Sequence, residues 1–280
     1  MKTRFIAEVS SNHNRNLERC INFIDIAAEI GCDVVKFQLF KIKKMFAPEI
    51  LYRSKKHRDR EKWELPDEFI PILSKRAQKN GISFSCTPFD LESVDLLEPY
   101  VDFFKIASYE LLWSDLLIKC ANTKKDIILS TGMANMEEIY SAIKTLRENG
   151  CKNPTLLHCI SSYPTPISEC NLSAISKLRD AFNCNIGWSD HSSNEAVLYR
   201  AVHKWGASDV EFHLDLEGNG EEFGSGHCWL PEDIKRVIEN IKSIKDVDGN
   251  GDKFPSFSEL SDRDWRADPI DGLRPLKKLR

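Results

Sequence analysis

No apolar run in this chain of 280 residues approaches the roughly 18 residues a membrane span requires, so a spanning helix is excluded. The opening MKTRFIAEV enters a strand pattern at once, and no signal peptide is expected. Cysteine is present nine times, an odd and scattered set with no CxxC pair; this excludes a simple disulfide framework and fits reduced thiols in a cytoplasmic protein. Neither sign of charge prevails. With 39 basic residues against 43 acidic ones and a net charge of −4, nothing general points to nucleic acid or a membrane surface as partner. Internal repeats and low-complexity tracts are missing as well.

What is present is enough apolar material, 41% of residues, for the core of one large α/β domain. Eight short β-rich runs alternate with longer amphipathic segments: RFIAEV (4–9), DVVKFQ (33–38), ISFSC (82–86), DFFKIA (102–107), DIILS (126–130), TLLHC (155–159), NIGWS (185–189) and SDVEFH (208–213). Between the first two, LERCINFIDIAAEIG reads as a helix with Ile21, Ile24 and Ala28 on its apolar face and Gly31 as its stop. NMEEIYSAIKTLRENG opens on an Asn135 cap with Glu138 in capping-box position. Eight βα units with nearly continuous apolar strands predict a (β/α)8 TIM barrel over residues 1–245, with an open doubly wound sheet as the alternative, and a short irregular tail over 246–280.

In such a barrel the functional site forms at the C-terminal ends of the strands. Those ends carry Glu8, Asn12 and His13; Lys36 and Gln38; Thr87; Lys105, Ser108 and Glu110; Ser130; His158, Ser161 and Tyr163; Ser189, Asp190 and His191; and His213. An ammonium inside a buried strand requires an opposite charge, so Lys36 and Lys105 each demand a partner, which a substrate can supply. Any one of these residues has a structural explanation, and His158 reads best as a core histidine. Their convergence on one rim is what points to a site. The two lysines, the Thr87, Ser108 and Ser130 hydroxyls, and the loop STGMANMEE entering a helix make a cradle for a small multiply anionic ligand such as a phosphorylated carboxylic acid. His191 and His213, on adjacent strands, could hold a divalent metal with open positions.

IAEVSSNHN, VVKFQ, SCTPFD, FFKIAS, ILSTGM, LLHCISSYPTP and IGWSDH resemble, in order, the motifs of the sialic acid synthase family, enzymes that condense phosphoenolpyruvate with N-acetylmannosamine or a related sugar. The resemblance implies a barrel, a Mn2+ or Mg2+ ion, and attack of C3 of phosphoenolpyruvate on the open-chain sugar aldehyde to give a nonulosonic acid and phosphate. By the same resemblance Lys105, Thr87, Ser108 and Ser130 hold phosphoenolpyruvate. Glu8, Lys36, Glu110 and Tyr163 line the reacting centre or the sugar site, Gln38 and Ser189 join the substrate-binding set, and His191 and His213 ligate the metal. A homodimer acting on small molecules is expected.

Three departures bear on the acceptor. Ser161 stands where N-acetylneuraminate-type members have a sugar-contacting Asn. The usual GPDH and SLEP stretch appears as GSGH and CWLP, keeping His227. The family's C-terminal antifreeze-like domain, which places an Arg on the sugar, is expected to be absent; the tail reads either as a disordered terminus or surface strap, or as a segment that brings Arg266 or Arg274, anchored by Trp265, to the acceptor. The insertion 41–62 carries nine Lys or Arg against three acids and reads either as a solvated loop or as an attractor of anions; its His57 is not expected to be catalytic. The cysteines, Cys86 and Cys159 included, read as small apolar fillers. Two rival functions remain: a Schiff-base aldolase using Lys36 or Lys105, and a catalytically silent sugar-binding barrel.

Overall fold

The computed structural model describes residues 3–280. Met1 and Lys2, at the start of the segment read as leading directly into a strand, lie outside the described residues. So do the side chains of Lys245 and Asp246, where the expected boundary of barrel and tail falls. Eight parallel strands follow one another in hydrogen-bonded order: β1 (Arg4–Glu8), β2 (Val34–Leu39), β3 (Ser83–Pro88), β4 (Phe103–Ile106), β5 (Asp126–Ser130), β6 (Thr155–Cys159), β7 (Ile186–Asp190) and β8 (Asp209–Leu214). β1 also pairs with β8, from Arg4 opposite Asp209 to Glu8 opposite His213. That pairing closes the sheet, so the fold is the (β/α)8 barrel and not the open doubly wound sheet. A strand the sequence did not announce, β9 (Cys228–Trp229), pairs with His213 and Leu214 of β8.

The helices lie outside the strands for the reason their patterns give. In Leu17–Glu29, capped by the Asn16 side chain accepting from Arg19 N, the buried residues are Cys20, Phe23, Ile24 and Ala27. Ile24 sits where its spacing put it; Ile21 and Ala28 flank the stripe, because the face follows the larger Phe23. Gly31 then takes a positive φ of 88°. In Met136–Glu148 both bonds of the expected capping box form: Glu138 N donates to Asn135 Oδ1 at 3.0 Å, and Asn135 N donates to Glu138 Oε2 at 2.8 Å.

Successive side chains of a strand point to opposite faces, so each strand sends one set outward to the helices and one inward. Ile6, Val34, Phe103, Ile128 and Leu157 form a separate apolar cluster, one inner layer of the barrel. Two residues further along the same strands, on the same face, stand Glu8, Lys36, Lys105, Ser130 and Cys159. The interior thus turns from apolar to polar toward its C-terminal end. Gly187 is required where it stands: a Cβ there would lie 2.5 Å from the Asp209 carbonyl oxygen and 2.6 Å from a Leu157 methyl.

The chain divides into two compact units, Met1–Ile241 and Lys242–Arg280. The second contains short 3-10 turns at Phe257–Glu259, Arg263–Trp265 and Lys277–Leu279. It is held by its own polar bonds, among them Lys277 N to Asp268 Oδ2 at 2.7 Å and Arg280 to Asp271 at 2.8 Å. Among the described residues no helix is long and apolar enough to cross a membrane.

Candidate active site

The two buried lysines meet carboxylates. Lys36 forms a close ion pair with Glu8 and stands 3.7 Å from Glu211, and the same Glu211 oxygen is 3.7 Å from Lys105. Glu211 is a residue that sequence reasoning passed over. Its signal was there: it lies two residues before His213 and so on the same inward face of β8. Burial opposes the charge on Lys36, but Glu211 and Glu8 outweigh it and hold the amine above the usual lysine range. Lys105 has one carboxylate instead of two, and burial, reinforced by the nearby Lys36 charge, pushes it down. Both lysines hold Glu211 ionised against its own burial. The partner demanded by each strand lysine is therefore part of the protein, and any anionic ligand must share these cations with Glu8 and Glu211.

Hydroxyls surround the ammonium groups. Lys36 donates to Thr87 Oγ1 at 3.3 Å, and Lys105 donates to Ser130 Oγ at 2.7 Å. Gln38 donates to Glu8 Oε1 at 2.9 Å and Ser189 to Glu211 Oε1 at 3.5 Å. Beside them the Gly132 N–H donates to Ser108 Oγ at 3.0 Å, and Ser108 lies 3.3 Å from Cys159 Sγ. A Cβ on Gly132 would come within 2.3 Å of Ser161 Oγ and 2.9 Å of both Cys159 Sγ and Ser108 Oγ. Ser161 Oγ, Glu110 Oε2 and Glu211 Oε2 are buried and make no hydrogen bond. Orphaned buried polar atoms are uncommon, and their gathering at one mouth marks a place where a ligand completes the bonding. Burial pushes the Glu110 carboxyl up to about 7 against the pull of Lys105, so near neutrality it can give a proton as well as take one.

The aromatic side of the mouth is a ring cluster. Tyr163 packs 4.2 Å from His191, 6.0 Å from His213 and 5.1 Å from His227, centroid to centroid; His213 is 5.4 Å from His191 and 4.9 Å from His227. His191 Nδ1 lies 2.8 Å from the Ile160 carbonyl and His213 Nδ1 lies 2.8 Å from Glu222 Oε2. Burial, aided by the charge of His213, drives His191 down to about 3, the neutral state a metal ligand needs. Burial works against protonation of His213 too, but its bond to Glu222 overcomes this and raises it. His213, Glu222, His227 and Cys228 offer ligand atoms all within 4.8 Å of one another. This donor set of nitrogen, carboxylate and sulfur fits a divalent ion. Glu222 had no local sequence signal, because it reaches the mouth from the one-turn helix Glu221–Gly224.

Several rim residues are structural. Asn12 donates to the Leu214 carbonyl at 2.9 Å, and His13 Nδ1 accepts from Arg15 N at 2.9 Å. His158 Nε2 is 3.0 Å from the Cys170 carbonyl and packs on Trp188, as a core histidine should. Asp190 accepts from the indoles of Trp188 and Trp229 at 3.1 and 3.0 Å. In the insertion, Lys41, Lys44 and Lys62 are engaged with Asp67, Glu92 and Glu221, which neutralises three of its nine positive charges locally. His57 rests on Ser54 and Phe46. A cleft of about 470 Å3 opens between this insertion and the loop after β8, lined by Trp63, Asn14, Asn219, Arg19, Lys62 and Glu221 among others. Arg266 and Arg274 belong to the second unit.

A closed barrel whose mouth gathers two buried lysines, an acid near neutrality and a metal-capable histidine cluster is an enzyme of the (β/α)8 class. The chain belongs to the NeuB family, whose model matches residues 23–253, and it is a transferase that forms carbon–carbon bonds. It is 41% identical to the N,N'-diacetyllegionaminic acid synthase of Campylobacter jejuni, over 92% of this chain and 81% of that one. To the pseudaminic acid synthase of the same species it is 30% identical, over 89% and 76%. A crystal structure of N-acetylneuraminic acid synthetase from Leptospira borgpetersenii, in complex with citrate, superposes with a TM-score of 0.81 at 30% identity, covering 94% of this chain and 90% of that one.

Proposed function

We propose that the protein condenses phosphoenolpyruvate with an open-chain amino sugar, giving a nonulosonic acid and inorganic phosphate. The observation that carries this reading is the pairing of a lysine cradle, Lys36 and Lys105 with Thr87, Ser108, Ser130 and Ser189, with Glu110 poised near neutrality. The citrate named in the Leptospira structure, itself a small polyanion, supports it. In the reaction C3 of phosphoenolpyruvate attacks the aldehyde carbon, and Glu110 donates its proton to the aldehyde oxygen as the bond forms. Water adds at the resulting cationic C2 and gives up a proton that restores the Glu110 carboxyl, and the C2–O bond to phosphate breaks. Glu8 and Gln38, joined by their hydrogen bond, and the Tyr163 ring border the reacting atoms. A divalent cation, Mn2+ or Mg2+ by the resemblance, held through His191 and His213, supplies Lewis-acid polarisation when bound.

The acceptor is a hexosamine. The legionaminic acid synthase among the relatives supports a diacetylated amino sugar over N-acetylmannosamine, as does Ser161, whose free hydroxyl differs from the Asn expected of N-acetylneuraminate-type enzymes. Phosphate release from phosphoenolpyruvate, measured across mono- and diacetylated hexosamines, tests the function. In 18O-labelled water the phosphate should emerge unlabelled, because the C–O bond and not the P–O bond is cut; label in the phosphate would refute the mechanism. A Schiff-base aldolase would instead be trapped by borohydride with pyruvate. The carboxylates that hold Lys36 charged disfavour it as a nucleophile.

A further inference from the structure

The ring cluster holds more donors than the two histidines named from sequence. Glu222 divides its work: Oε1 accepts from Ser10 Oγ at 2.6 Å, Ser11 Oγ at 2.6 Å and Ser11 N at 3.1 Å, which fixes the carboxylate to the loop after β1. Oε2 faces inward, and three side chains converge on it: His213 Nδ1 at 2.8 Å, His227 Nε2 at 3.6 Å and Cys228 Sγ at 4.0 Å. His227 is only 5% exposed, and its Nδ1 is buried with no hydrogen-bond partner. Cys228 is brought here by β9, whose register sets it beside His213. Two imidazoles, a carboxylate and a thiol thus lie within 4.8 Å of one another, three of them meeting a single carboxylate oxygen while one imidazole nitrogen is left without a partner. A cation among them would draw on all four.

We propose that Glu222, His227 and Cys228 join His213 as metal ligands in this chain, in place of the His191–His213 pair that the resemblance implies, and that this set selects a borderline cation of the Zn2+, Co2+ or Fe2+ type over Mg2+. Magnesium demands near-octahedral oxygen ligands and gives up water reluctantly. Thiolate and imidazole favour softer ions, and three such donors with one carboxylate match the tetrahedral preference of zinc. Cys228 is then a ligand, in contrast to the apolar-filler role that composition assigns to cysteine. The inference rests on reading this mouth as a metal-assisted synthase site, but its test requires no turnover, so loss of the proposed reaction and loss of these ligands are separate results.

Protein stripped with a chelator and kept reduced is titrated with Co2+, and its near-ultraviolet and visible absorption is recorded. A thiolate-to-cobalt charge-transfer band with tetrahedral-type visible bands is expected in the unmodified protein. Cys228→Ser should lose the charge-transfer band, and His227→Ala should weaken Co2+ binding by at least about tenfold, the lower end of what perturbing a metal's ligand environment produces. A large excess of Mg2+ should leave bound Co2+ in place. Weak octahedral-type bands without charge transfer in the unmodified protein, spectra unchanged by Cys228→Ser, or displacement of Co2+ by comparable Mg2+ would each overturn the proposal. Because the unmodified protein alone decides the first point, a variant that fails to fold leaves the answer intact.

Discussion

Glu211 is shared by two ammonium groups at 3.7 Å each, and this arrangement decides how Lys105 can act. Breaking a buried ion network by removing one member is costly because it leaves an uncompensated charge; here Lys36 remains to hold Glu211. Lys105→Met keeps the stem and deletes the cation, so it should fold. It should weaken phosphoenolpyruvate binding by about 1.5–3 kcal/mol, the scale of a hydrogen bond to a charged group, with acceptor affinity little changed. Calorimetric titration of the two substrates separates these outcomes, and an unchanged phosphoenolpyruvate affinity would return Lys105 to a purely structural role. At the same scale, Tyr163 and the histidines show how a rim is filled: ring against ring, with polar atoms left facing inward.

Among the elements, the loop between β5 and the helix Met136–Glu148 sets the shape of the cradle. Gly132 has no side chain, and the space a methyl would need is bounded by Ser108, Cys159 and Ser161. The capping box at Asn135 fixes the start of the helix that follows, so the loop has little freedom to yield. Gly132→Ala should therefore displace the Ser108 and Ser161 hydroxyls and raise the phosphoenolpyruvate KM by roughly tenfold or more, since sub-ångström misplacement of positioning groups is expensive in catalysis. Steady-state kinetics beside a thermal melt provide the check. An unchanged KM in a protein of normal stability would remove this niche from the substrate site.

For the molecule as a whole, two compact units follow one another along the chain, and the second presents Phe254, Phe257, Trp265, Ile270 and Leu273 to solvent. One of the two sequence readings gives its Arg266 or Arg274 a part in acceptor binding, and truncation tests it. Ending the chain near Leu260 should raise the acceptor KM or abolish turnover, while phosphoenolpyruvate binding and the melting temperature stay nearly unchanged. Wild-type kinetics in the truncated enzyme would deny the segment any catalytic part.

The sequence by itself determined the eight strands, because each is a short apolar run with local turn signals. It also determined which residues stand at the strand ends, because side-chain alternation is strictly local. Glu8, Lys36, Lys105 and His213 were legible for that reason, as was the capping box of Asn135 and Glu138. Only the tertiary structure decided closure, since the pairing of Glu8 with His213 joins the first and last strands of the barrel, far apart in sequence, and leaves no trace in either strand. It alone decided that Glu211 serves both lysines, and that Glu222, His227 and Cys228, carried on a turn and a two-residue strand with no periodic pattern, come to rest against His213. Contacts between distant segments are fixed by packing and charge in three dimensions, which no window of neighbouring residues encodes.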